Sequence, residues 1–225
     1  MPIVVSFVSQ KGGVGKSTLA RALLAVASHV MRVRLADLDP YQASVMAWEK
    51  ARESTHRKPT CEVVAYASAA EGISASSDVE LLIIDTPARA TRETVWIAEH
   101  SHLVVQPTGP SADDLRPAVL TFHELVRAGI PRERLVMAIC RTLSSAEEET
   151  TRAYLESAGY EVLAGSVPER IAYREAQNRG HAVTETPKAA LNKQADNLME
   201  ALLTRVTSAI ELQAQQRRKT AEKKR

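Results

Sequence analysis

Short apolar runs rich in β-branched residues alternate along the chain with longer stretches whose apolar positions recur at helical spacing. Residues 3–9 (IVVSFVS) read as a buried strand, and from Lys16 a helix follows with Leu19, Leu23, Val26 and Val30 on one face. Residues 32–37, 61–66, 79–85, 102–107, 134–140 and 161–168 predict further strands. Between them, residues 43–54, 91–100, 112–128, 145–158 and 169–179 predict helices. A long amphipathic helix over 188–213 carries Leu191, Leu198, Leu202, Val206 and Ile210. This alternation predicts an α/β fold, a mostly parallel β-sheet flanked by helices on both faces. Ligands of such a sheet sit at the carboxyl ends of its strands.

At 225 residues the chain has room for one substantial core, and residues 1–216 read as a single domain. With 44% hydrophobic and 25% charged residues, the composition is that of a soluble globular protein. No apolar run reaches the roughly 18 residues of a membrane span. The opening residues lack the basic region of a secretory signal. Cys61 and Cys140 match no metal or redox spacing, which suggests reduced thiols in the cytoplasm. The net charge of +2 is unevenly placed: residues 217–225 (RRKTAEKKR) hold six basic groups and one acid. They read as a basic, disordered tail. Affinity for nucleic acid must then come from a local patch or from this tail.

The candidate chemistry begins at residues 9–18 (SQKGGVGKST). The common phosphate loop reads G-x-x-x-x-G-K-[ST], and its first glycine would fall on Gln10. The context is nevertheless right, with a strand before and a helix after. Gly12, Gly13, Val14 and Gly15 supply backbone N–H groups that can curl around an anion at the helix N-terminus. Lys16 is placed to reach β- and γ-phosphates, Ser17 to ligate Mg²⁺ and Thr18 to bond the α-phosphate. Asp37 and Asp39 are two apart, so on extended chain they share a face at the carboxyl edge. Residues 81–88 (LLIIDTPA) form an apolar strand ending in Asp85, the usual Mg²⁺ partner after a phosphate loop.

The stretch KGGVGKST resembles the deviant Walker A motif of the ParA/MinD family of ATPases. LADLDPYQAS (35–44) resembles that family's D-x-D-P-Q switch, with Tyr41 intervening before Gln42, and LLIIDTP resembles Walker B. VVQPTGPSADDL (104–115) and SVPERIAYREAQNRGHAVTE (166–185) resemble its later segments. The resemblance implies a P-loop NTPase fold, ATP and Mg²⁺ as cofactors, and an ATP-dependent homodimer. In the family the early lysine, here Lys11, reaches phosphates held by the other subunit. The physics agrees: a triphosphate between two subunits carries about four negative charges into a low-dielectric seam, where uncompensated charge is costly. By the same resemblance Asp39 orients or deprotonates the attacking water, Asp37 helps hold the Mg²⁺ hydration shell, and Arg141 and Pro168 neighbour the adenine.

Within the family the chain is most similar to small ParA-type DNA-partitioning ATPases that lack an N-terminal helix-turn-helix domain. The last helix has no aromatic anchors, which argues against stable membrane association. This implies a slow ATPase, cytoplasmic and nucleoid-associated, whose dimer holds DNA without sequence preference until a centromere-binding or cargo adaptor protein stimulates hydrolysis. Candidate DNA contacts are Arg170, Arg174, Arg179, Lys188, Lys193 and Arg205, with the tail. A positioning ATPase for a non-DNA cargo and a metabolic P-loop ligase or kinase are the alternatives.

Overall fold

The computed structural model describes residues 2–39, 44–88 and 92–222. Seven strands form one parallel sheet: β1 (Ile3–Phe7), β2 (Val33–Asp37), β3 (Glu62–Ala65), β4 (Leu81–Asp85), β5 (Leu103–Thr108), β6 (Leu135–Ile139) and β7 (Glu161–Val162). Their order is β3-β2-β4-β1-β5-β6-β7. The helices are α1 (Lys16–Ala27), α2 (Ser44–Ser54), α3 (Ala69–Ala75), α4 (Arg92–His100), α5 (Ala112–Arg127), α6 (Ser145–Ser157), α7 (Ile171–Asn178) and α8 (Ala189–Glu222). Among the described residues no helix is long and apolar enough to cross a membrane.

The period-2 pattern of the strands sorts side chains between two cores. Val5 and Phe7 of β1, with Leu81 and Ile83 of β4, face α1, α2, α7 and α8. Val4, Leu82 and Ile84 face α3 and α4, while Val104, Leu135 and Met137 face α5 and α6. Parallel strands buried on both faces need apolar residues at every position, which is why they appear as continuous runs. In α8, Leu198, Leu202 and Val206 are fully buried. Burial of each such side chain contributes about 1.5–3 kcal/mol.

Several boundaries depart from the periodicity. Val30 was expected on the stripe of the first helix, but α1 ends at Ala27 and Val30 is 78% exposed in the turn beyond. The strand expected over 161–168 pairs only at Glu161–Val162 and returns for one bridge, Cys140 to Val167. Helix α3 is an addition: Ser68 caps it by accepting from the Glu71 N–H, while the Glu71 carboxylate accepts from the Ala67 N–H. Helix α8 runs to Glu222, beyond the predicted 188–213, so the charge boundary at 216 is not a helix boundary. Tyr41 and Gln42 lie outside the described residues.

The topology assembles the site. Strand β4 lies between β2 and β1, and the register places Asp85 beside both Asp37 and Phe7. The two carboxylates, far apart in sequence, therefore end adjacent strands at the carboxyl edge. The loop leaving β1 is next to them.

Candidate nucleotide site

The loop from Ser9 to Gly15 closes into the first turn of α1. Lys11 N–H donates to Ser9 Oγ at 3.0 Å, and Leu19 N–H to the Gly15 carbonyl at 2.9 Å. Gly15 is the N-cap with φ 115°, a region that side chains rarely enter, and no side chain caps the helix. A Cβ there would lie 2.9 Å from Cys140 Sγ. Gly13 also has a left-handed φ, 74°, but open space around it. The uncapped N–H groups of α1 are the donors that an anion would meet.

Gly12, Gly13, Gly15, Lys16, Ser17, Thr18, Asp39, Asp85 and Thr86 line a cradle of about 170 Å³. Val14 is buried and does not line it. Lys16 is also buried, with Nζ donating to the Lys11 carbonyl at 3.2 Å. Burial lowers its pKa, opposed by the charges of Asp85 and Asp39. Thr86 ties the end of β4 to β1 by donating to the Phe7 carbonyl at 2.8 Å.

The carboxylates fit a divalent cation. Burial pushes the Asp85 carboxyl up to about 6, helped by the charge of Asp37 and opposed by the Ser17 hydroxyl, Lys16 and Arg21. Burial also raises Asp37, although the Asp39 N–H donates to its Oδ1 at 2.9 Å. Asp37 Oδ2 and Asp85 Oδ1 are buried with no hydrogen-bond partner. Two orphaned anionic oxygens beside a serine hydroxyl suit Mg²⁺, which takes few protein ligands and completes its shell with phosphate and water. Among the described residues no group of three or more His, Cys, Asp or Glu forms a caged metal site.

Lys11, unlike Lys16, does not line the cradle. Its ammonium lies 3.4 Å from Asp114 Oδ1 in the first turn of α5 and is 40% exposed. Asp114 was legible only as part of the 104–115 stretch.

A second cleft of about 330 Å³ adjoins the cradle through Gly13, Gly15 and Thr18. Arg141, Pro168, Arg170, Tyr173, Arg174 and Gln177 line its other side. Arg141 holds φ 64°, unusual for a residue with a side chain. Its guanidinium reaches the Gly13 carbonyl at 3.3 Å and Glu169 Oε2 at 3.3 Å. This cleft has the size and polarity to take a nucleoside beside the phosphate cradle, with the expected neighbours Arg141 and Pro168 in it. Tyr173, Gln177 and Arg21 were not anticipated. The available signal for Arg21 is a charged residue one turn after Thr18, within the apolar stretch that runs from Leu19 to Ala27.

The basic candidates fall into two places. Arg170 sits half-buried at the cleft, donating to the carbonyls of Glu169 and Leu143. Arg174, Arg179, Lys188 and Lys193 are exposed on α7 and around the start of α8. Arg174 Nε is 3.9 Å from Glu169 Oε1. Arg205 lies at the amino edge of the sheet, bonded to the Glu133 carbonyl and 3.4 Å from Glu161 Oε1. It is not brought together with the others.

A search of curated proteins returned no sequence match. Among solved structures, the chain is similar to the septum site-determining protein MinD of Pyrococcus horikoshii, complexed with Mg-ADP. That match has 17% identity, covers 90% of this chain and 96% of the other, and has a TM-score of 0.70. A putative plasmid partition protein of Borrelia burgdorferi bound to AMPPNP is similar at 17% identity, 91% and 99% coverage and a TM-score of 0.71. An ATP complex of a single-substitution variant of Cyanothece McdA is similar at 19% identity, 89% and 96% coverage and a TM-score of 0.67. Likeness at such identities establishes the fold. The sequence model for the CobQ/CobB/MinD/ParA nucleotide binding domain matches residues 5–183. With that match over most of its length, and the phosphate loop at its head, the chain belongs to the CobQ/CobB/MinD/ParA family of nucleotide-binding domains.

Proposed function

We propose that this chain is a ParA-type partition ATPase: it binds ATP with Mg²⁺, dimerises across the bound nucleotide, holds DNA without sequence preference, and releases it on hydrolysis. The observation that carries the reading is the division of labour between two lysines. Lys16 serves its own cradle, while Lys11 stands outside it, partly exposed on a single ion pair with the largely buried Asp114, a partner it can exchange for phosphates on a second subunit. A one-subunit kinase or ligase has no use for a cation so placed.

Ser17, Asp37 and Asp85 would hold Mg²⁺, which neutralises phosphate charge when bound. Lys16 would bind the β- and γ-phosphates, and Thr18 the α-phosphate. Asp39, on the cradle wall, would orient or deprotonate the attacking water. Arg141 and Pro168 would flank the adenine. Arg170, Arg174, Arg179, Lys188 and Lys193, with the basic residues of 217–225, would contact DNA phosphates. Arg205 is left out, since Glu161 and the Glu133 carbonyl engage it at the opposite edge. A partner protein on the cargo would stimulate hydrolysis, and the chain would work in the cytoplasm on the nucleoid.

The test is retention of the full chain on DNA with ATP, ADP or no nucleotide. Retention with ATP alone, falling steeply with salt, is the expected result. Equal retention in all three conditions overturns the proposal.

A further inference from the structure

Arg21 is a half-buried cation with little to do in the chemistry described so far. It lies on α1, one turn beyond Thr18, and therefore on the same side of the phosphate-loop helix. Its Nη1 donates to Gln177 Oε1 on α7 at 3.1 Å, across 156 residues of sequence. Its Nε is buried with no partner. Taking even part of a guanidinium out of water is costly unless other charge compensates it. Here Asp85 and Asp37 supply that charge from the end of the sheet.

The other end of this link lies on a short helix that buries Ala172, Tyr173 and Ala176. Helix α7 has eight residues, Ile171–Asn178, and its N-cap, Arg170, offers no side-chain hydrogen bond. Helices this short are marginal without tertiary contacts. Apart from Arg21, its polar ties to the rest of the fold include the Tyr173 hydroxyl, which donates to the Leu191 carbonyl at 2.8 Å, and the Arg174–Glu169 pair at 3.9 Å. Tyr173 and Gln177 both line the cleft that continues from Thr18, so α7 forms one wall of the space beside the phosphate cradle.

We propose that Arg21 is a positioning residue that ties α7 to the phosphate-loop helix, so that occupation of the cradle is transmitted to α7 through the Arg21–Gln177 bond. The inference rests on nucleotide binding at the cradle, and not on DNA as the cargo track. Nucleotide that immobilises the start of α1 would immobilise Arg21 one turn later, and through it Gln177. Arg174 and Arg179 travel with α7, so their presentation would follow the nucleotide state.

Amide hydrogen exchange of the full chain, with and without a non-hydrolysable ATP analogue and Mg²⁺, tests this for wild type, Arg21→Met and Gln177→Leu. In wild type, the analogue should slow exchange at residues 12–18 and also at 171–178, by at least about tenfold in each. In both variants protection of 12–18 should persist while the response of 171–178 falls to less than about a third of the wild-type response. A purely structural role predicts something different: faster exchange of α7 by the same factor with and without nucleotide, which would overturn the inference. So would an α7 response preserved in both variants, or an α7 in wild type that ignores nucleotide while 12–18 responds. A wild-type chain with no protection at 12–18 would instead overturn the nucleotide reading, and this inference with it.

Discussion

Lys11 Nζ stands 3.4 Å from Asp114 Oδ1, joining the phosphate loop to the first turn of α5. The pair is intramolecular and partly exposed, so its contribution is small, about 0.2–1 kcal/mol. Such a contact opposes any other use of the Lys11 ammonium by that amount. Asp114→Asn should therefore strengthen ATP-dependent dimerisation by up to about fivefold, with little change in ATP affinity of the monomer. Lys11→Ala should abolish dimerisation while leaving ATP bound. Sedimentation with and without ATP measures both; a Lys11→Ala chain that dimerises normally removes the lysine from the interface.

Asp85→Asn should trade function for stability. The buried carboxylate has an orphaned oxygen and a pKa raised from 3.8 to about 6, so its charge is a burden on the fold when no cation is bound. Neutralising it should stabilise the nucleotide-free chain at pH 8 by on the order of 1–3 kcal/mol. Mg²⁺-dependent nucleotide affinity should fall at least about tenfold. Thermal denaturation and titration with a fluorescent nucleotide read the two effects. A variant less stable than wild type contradicts the electrostatic account.

The same carboxylate sets a pH dependence. Because its folded pKa lies above the unfolded value, the folded state holds the extra proton between pH 3.8 and about 6. The contribution of Asp85 to stability is thus greatest at low pH and declines as pH rises through that window. Cation binding runs the other way, since it needs the ionised form: Mg²⁺-dependent nucleotide affinity should rise with pH and level off above about 6. Isothermal titration from pH 5 to 8 checks the direction. A flat profile would show that Asp85 does not couple proton and metal.

Gly15→Ala should damage both fold and loop. The new Cβ meets Cys140 Sγ at 2.9 Å and must also adopt φ 115°. Gly13→Ala is the control, with strained φ and open space. The first should cost roughly 2–4 kcal/mol and the second about 1–2 kcal/mol. Denaturant unfolding of the two variants, and of Gly15→Ala with Cys140→Ala, separates steric from backbone strain. The double variant should recover part of the loss, and no recovery would mean that the contact with Cys140 is unimportant.

The sequence by itself determined the strand-and-helix alternation, the phosphate loop and the strand-terminal aspartates. These are local properties: period-2 and 3.6 patterns follow from burial of each element's own faces, and a loop cradle needs only consecutive backbone and its adjoining helix. Sequence did not determine that Asp37 and Asp85 would end adjacent strands, since strand order places β4 between β2 and β1. Nor did it show that Lys11 rests on Asp114, that Arg205 is drawn to the amino edge by Glu161, or that Arg21 reaches Gln177. Those relationships join segments up to 156 residues apart. Tertiary structure alone decided them, because charges and hydrogen bonds act through distances in space that no spacing along the chain encodes.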